Sequence, residues 1–273
     1  MSFELEKQFQ IVVAGDGPSG VRITPDGTRV FIVHRYDRYV KQYDLSTPFD
    51  ISTAVLTGQK SISTTENTGI FDIAFSPSGM NMYVVGSSGK ITEYALDAPY
   101  SFTATLISTF VTGVSGPRTI DIDPDFSKIF LNDGNNPYVR EFTLSDPWIL
   151  ATATLSNTKT VRSIFPQIRF LDGGNSLLAC YAYDILKYQL STPYDLSTLS
   201  SEYTEEVPYN MMASSQRGFC FSPDQTMAFI VEYVQSLAGF YLRQYSTGYS
   251  PYNPDPPPTS VFWTNFHGLR EEI

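Results

Sequence analysis

Three aspartates, Asp72, Asp121 and Asp123, are the residues whose type and placement could do chemistry, because each falls on or beside an apolar, alternating run that recurs along the chain. Two carboxylates facing each other across a channel could act as general acid and as base or nucleophile on a glycosidic bond. The equivalent positions elsewhere argue against it. They hold Arg22, Gln167 and Arg169, and the corresponding run from Arg217 to Phe221 contains no acid. The expectation is a structured polar channel without an acid/base pair, and no catalytic residue is assigned.

The remaining reactive groups are few. His34 and His267 are the only histidines, and neither has a metal-ligand spacing or a nucleophile motif beside it; both are expected to be partly exposed polar residues. The Asp121-Ile122-Asp123-Pro124-Asp125 and Asn132-Asp133-Gly134-Asn135-Asn136 segments are rich in oxygen donors, but neither follows the spacing of a calcium loop. They are read as turns, so no metal and no cofactor is expected. Cys180 and Cys220 are too few for a disulfide framework. Two buried thiols are expected, with a single bridge as the alternative.

Binding has better candidates. His34-Arg35-Tyr36-Asp37-Arg38-Tyr39 reads as a hairpin, and tyrosine with arginine is common in interfaces and can stack on sugars. The second candidate is the C-terminal stretch carrying Tyr249, Tyr252, Trp263 and Phe266 on a proline-rich segment.

The elements that position these groups repeat. Apolar strand, Pro-Asp-Gly-like turn and second apolar strand recur from Val21, Ile73, Ile120, Ile168 and Phe219, at intervals of 52, 47, 48 and 51 residues. A third strand carries an aromatic two residues before a leucine: Tyr43 and Leu45, Tyr94 and Leu96, Phe142 and Leu144, Tyr188 and Leu190. Tyr245 is the fifth such aromatic, without the leucine. Residues two apart share one side of a strand, so these pairs are assigned to packing between units. A fourth strand of the Thr-Ala-Thr-Leu type follows. Four strands per unit without helical periodicity predict an all-β, five-bladed β-propeller of antiparallel blades, rather than one of six.

The ends of the chain must explain ring closure, because an open ring leaves unpaired edges. Ser2 through Val13 resembles the segment that ends the first full repeat, so an N-terminal strand is expected to complete the last blade. The propeller would then span residues 1–250, leaving 251–273 as an extension. That extension is open to three readings: a lid, a replacement outer strand from Ser260 to Phe266, or an anchor to another protein.

Charge narrows the partners. Lys and Arg total 18 against 28 Asp and Glu, a formal charge of -10, which repels phosphate backbones and anionic bilayers. Neither nucleic acid nor membrane insertion is expected. The N-terminal MSFELEKQFQ has no basic region followed by an apolar run, which predicts synthesis in a cytoplasm without a signal peptide.

The Ser-Pro-Ser-Gly turn, the MYVVG strand and the runs QYDLSTPFDISTA and KYQLSTPYDLSTL resemble repeat proteins encoded by marine phages and bacteria, whose unit reads about GLAFSPDGTKMYV, a turn, then VYQYDLSTPFDISTA. The resemblance covers about residues 2 to 250, is close in the first two repeats and departs at Leu171-Asp172-Gly173-Gly174 and beyond Ser246. It implies a virion accessory or tail-associated protein, present in several copies, contacting other virion proteins or host-surface glycans and proteins. A bacterial propeller that binds or cleaves carbohydrate is the alternative.

Overall fold

The Pro-Asp-Gly turns form because each part supplies one element of the geometry. In the first, Asp26 Oδ1 accepts from the Thr28 amide at 3.0 Å and from the Thr24 hydroxyl at 2.5 Å, and Gly27 takes φ 70°. Asp224 repeats the arrangement, accepting from Ser222 Oγ at 2.6 Å and the Thr226 amide at 3.1 Å. A hairpin is thereby fixed at the end of each innermost strand.

The computed structural model describes residues 3–11, 17–62, 69–162, 167–181, 184–203, 205–207 and 214–248. Strand β1 (Glu4–Ile11) is followed by four blades in chain order. These are β2 (Pro18–Ile23), β3 (Arg29–His34), β4 (Tyr39–Leu45) and β5 (Ala54–Ser61); β6 (Ile70–Phe75), β7 (Asn81–Gly86), β8 (Lys90–Leu96) and β9 (Ala104–Val111); β10 (Ile120–Ile122), β11 (Lys128–Asn132), β12 (Tyr138–Leu144) and β13 (Ala153–Thr160); and β14 (Gln167–Leu171), β15 (Ser176–Tyr181), β16 (Asp184–Gln189) and β17 (Glu205–Val207). The fifth blade joins β18 (Ser214–Phe221), β19 (Met227–Val234) and β20 (Gly239–Ser246) to β1.

All pairings are antiparallel, and the innermost strands meet in cyclic order, β18 against β2 included. The protein is a five-bladed β-propeller. Closure is as the sequence predicts: β1 pairs with β20 from Glu4 opposite Ser246 to Ile11 opposite Phe240. First and last strands of the chain therefore lie side by side, and no blade lacks an outer strand.

Apolar packing runs between blades. Each third-strand aromatic sits in a cluster shared with the preceding blade: Tyr94 with Phe31, Phe142 with Tyr83, Tyr188 with Phe130, Tyr245 with Leu178, and Tyr43 with Phe229 around the closure. Because one blade cannot cover both its faces, these clusters make the ring cooperative.

A second device latches each turn. Phe49, Tyr100, Trp148 and Tyr194 adopt positive φ, an uncommon backbone for aromatics. Three of them lay their rings over Gly27, Gly79 and Gly174, leaving no room there for a side chain. In the third blade Phe126 stands in the glycine's place at φ 51° and stacks between Trp148 and Tyr83, at 5.2 and 4.8 Å.

Candidate functional site

Residues two apart on or just before the innermost strands fall at two equivalent levels, or layers, of the five blades. One layer takes Gly20, Asp72, Thr119, Gln167 and Gly218 from the five blades; the other takes Arg22, Ala74, Asp121, Arg169 and Cys220. Asp72 is fully buried, and its Oδ2 collects Arg22 Nη2 at 3.2 Å, Arg169 Nη2 at 3.0 Å, the Thr119 hydroxyl at 3.0 Å and the Ile120 amide at 3.2 Å. One oxygen thus joins four blades. Gln167 Nε2 adds a bond from the fourth blade to the Ser19 carbonyl of the first, at 3.3 Å.

The glycines in these layers allow the close approach. A β-carbon on Gly218 would lie 2.7 Å from the Gly20 Cα, and one on Gly20 would lie 2.8 Å from Asp72 Oδ1. Burial pushes the Asp72 carboxyl up from its ordinary range, opposed by the Arg22 charge and by the hydrogen bonds it accepts. Stranding such a carboxylate would cost several kcal/mol, so the two arginines are needed where they are.

Beside this cluster, at the mouth formed by the inner turns, lies a cavity of about 270 Å3. Arg22, Arg169, Asp121, Phe170, Phe221 and Cys220 are among its lining residues. Asp121 is half-buried and accepts the Phe170 amide at 2.8 Å. Burial raises its pKa to about 6; the Asp72 charge adds to the rise, while Arg22 and the amide oppose it. Cys220 is a free, buried thiol, pushed up to about 12 by burial. The side chain of Cys180 lies outside the described residues.

Chemically, Asp72 is committed to its arginines, and Asp123 to a turn, where it accepts from Ser127 Oγ at 2.6 Å and the Lys128 amide at 2.8 Å. Asp121 is the carboxylate that faces open space. The polar channel is as expected, and its partners Thr119 and Ser19 are what sequence reasoning missed. The Asn132–Asn136 segment serves as a turn: Asn132 Oδ1 accepts the Arg118 and Thr119 amides, and Asp133 pairs with Arg140 at 3.0 Å.

The candidate hairpin is at the opposite rim, with one correction. His34 is fully buried at the end of β3, not an exposed contact residue, and neither ring nitrogen has a partner among the described residues. Its position opposite Pro18 and Tyr39, within the sheet, removes it from solvent. Burial lowers its pKa to about 4, with Lys41 adding to the effect. Arg35 lies 4.4 Å from the ring centroids of both Tyr36 and Phe71, and Tyr36 remains exposed. The Arg35 and Arg38 carbonyls accept the Ile70 and Ile62 amides, so the hairpin is tied to the chain entering the next blade. Tyr39 and Arg38 are partly exposed beside it. Tyr249, Tyr252, Trp263 and Phe266 lie outside the described residues.

A further surface escaped the sequence reading. Leu5, Leu56, Leu106 and Leu155 occupy one equivalent position on four outer strands, opposite Tyr245, Tyr43, Tyr94 and Phe142, each beside a β-bulge. Their exposures are nearly the same, at 49%, 51%, 47% and 50%. Val55, Ile107 and Val111 extend the apolar character of the first two outer strands. The signal was the leucine of the Thr-Ala-Thr-Leu motif, whose side of the strand only the pairing reveals.

Among the described residues no helix is long and apolar enough to cross a membrane. No protein-family model matches the chain, and no curated protein matches it. Among solved structures it is similar to a functionally unknown protein from Desulfotomaculum acetoxidans DSM 771, with TM-score 0.50 and 12% identity over 87% of each chain. Hydrazine synthase from Kuenenia stuttgartiensis gives TM-score 0.49 and 16% identity over 81% of this chain and 57% of that one. At 12% identity the first of these likenesses speaks to the fold alone.

Proposed function

We propose that the protein is a non-enzymatic binding propeller that works in a multi-copy assembly, as a virion accessory component associated with a tail or fibre and contributing to particle assembly or host-surface attachment. The observation that carries this reading is the set of half-exposed leucines repeated on four unpaired outer edges. Edge strands bearing apolar side chains invite association, and native proteins blunt them unless a partner covers them. The commitment of Asp72 to structural ion pairs supports the non-enzymatic part, and the repeat's resemblance to phage-encoded proteins supports the virion.

The test is mass spectrometry and negative-stain imaging of particles from the cells that encode the chain, which should contain it in several copies. A variant with Leu56, Leu106 and Leu155 changed to lysine should fold yet be lost from the particles, and deletion of 251–273 tests the C-terminal segment as a second anchor. Absence of the chain from particles overturns the virion assignment. Hydrolysis of chromogenic glycosides that Asp121→Asn abolishes overturns the non-enzymatic one.

A further inference from the structure

The axial cavity sorts ligands by charge. Its lining carries the Asp121 carboxylate, which opposes a small anion. Its lining includes Arg22 and Arg169, which oppose a cation. A neutral molecule presenting both donors and acceptors satisfies both parts.

The groups that would receive it are in place. Asp121 gives one oxygen to the Phe170 amide, and a carboxylate has about four lone-pair sites, so acceptor capacity is left toward the cavity. Arg22 also lines the cavity with its side chain 12% exposed, and its Nη1, which carries two N–H groups, makes one bond to the Val21 carbonyl at 3.3 Å. Phe170 and Phe221 supply aromatic rings in the lining. A volume of about 270 Å3 falls just below the range of about 300–1,000 Å3 for drug-sized ligands, which suits one sugar ring and not a chain of them.

We propose that the axial cavity binds a single neutral sugar ring, whose hydroxyls are held by Asp121 and Arg22 and whose apolar face lies on Phe221. Alternating hydroxyls and C–H faces make a pyranose complementary to such a mixture of carboxylate, guanidinium and phenyl groups. The raised pKa of Asp121 is in keeping with the assignment, since perturbed groups set in a cleft cluster at functional sites. The proposal stands on residues other than the outer leucines, so it holds or fails independently of the assembly reading.

The experiment is ligand-observed NMR and calorimetric titration of the full chain with glucose, galactose, mannose and N-acetylglucosamine at millimolar concentrations. At least one should bind saturably, and Asp121→Asn, which is expected to fold at least as well as the parent, should weaken binding about tenfold or more. Phe221→Ala should weaken it as well, while Leu106→Lys leaves it unchanged. The proposal is overturned if no sugar binds, if binding is indifferent to Asp121→Asn, or if inorganic phosphate or calcium binds at Asp121 instead. Particle incorporation of the Asp121→Asn chain, measured in parallel, should be normal; its loss would speak against the assembly reading's choice of surface and leave the titration result standing.

Discussion

Arg169 Nη2 lies 3.0 Å from Asp72 Oδ2 although 97 residues separate them and a whole blade stands between their strands. The same oxygen also meets Arg22 Nη2 at 3.2 Å, so one buried carboxylate holds two guanidiniums at the axis. The ring is closed at its rim by β1 and at its centre by this contact.

Removing one member should therefore expose the others. Arg169→Met is expected to destabilise the protein by about 3 kcal/mol, because Asp72 would stay buried with half its compensation. Asp72→Asn combined with Arg169→Met should cost less than the two single changes added together. Urea unfolding at neutral pH checks both, and strict additivity would sink the idea.

Gly79 illustrates the turn latch. Its φ is 71°, and an added β-carbon would stand 2.5 Å from the Tyr100 ring. Gly79→Ala should cost about 1–2 kcal/mol from the left-handed backbone alone, plus the steric cost of displacing the ring. Adding Tyr100→Ala should restore part of that loss, measured as a non-additive cycle in thermal unfolding.

Two buried groups give opposing pH dependences. Asp121 has its pKa raised from 3.8 to about 6, so its contribution favours folding below 3.8 and is lost as the pH rises through about 6. His34 has its pKa lowered from 6.5 to about 4, so its contribution is complete above 6.5 and is lost as the pH falls toward 4. Between about pH 4 and 6 the two partly cancel, each changing stability by at most about 1.4 kcal/mol for every pH step of one. Asp121→Asn should leave a steeper acid-side loss of stability, and His34→Leu should leave the opposite slope. Melting temperatures across that range decide it, and unchanged slopes in both variants would refute it.

The closing strand can be removed and returned. A chain lacking residues 1–11 exposes the β20 edge and loses the buried Phe3 and Ile11. It should lose cooperative unfolding, and a synthetic peptide of those residues should restore it in a concentration-dependent way. Circular dichroism with added peptide reads the result; a truncated chain that melts as sharply as the parent would contradict strand closure.

Much of this architecture is legible along the chain because a propeller repeats local rules. Apolar alternation set the strands, Pro-Asp-Gly set the turns, the Tyr-x-Leu spacing marked the faces between blades, and the likeness of the first residues to the end of a repeat revealed the closing strand. These signals act over a few residues, where strand periodicity and turn chemistry dominate. The polar axis was partly legible for the same reason, since Arg22, Asp72, Asp121, Gln167 and Arg169 fall at matching places in successive repeats.

Distance across the ring was not written in the repeats. His34 looked like a rim residue because it stands beside Arg35 and Tyr36, yet strand pairing buries it, and its neighbours in sequence carry no record of that. Leu5, Leu56, Leu106 and Leu155 read as ordinary strand leucines until the order of strands placed them on outer edges, where no further sheet covers them. The sequence by itself determined the blades, their number and the strand that closes them. Only the tertiary structure decided which carboxylate is consumed by arginines and which one faces a cavity, because that depends on how closely five inner strands approach one axis, a distance set by Gly20 and Gly218 and by packing between all the blades at once.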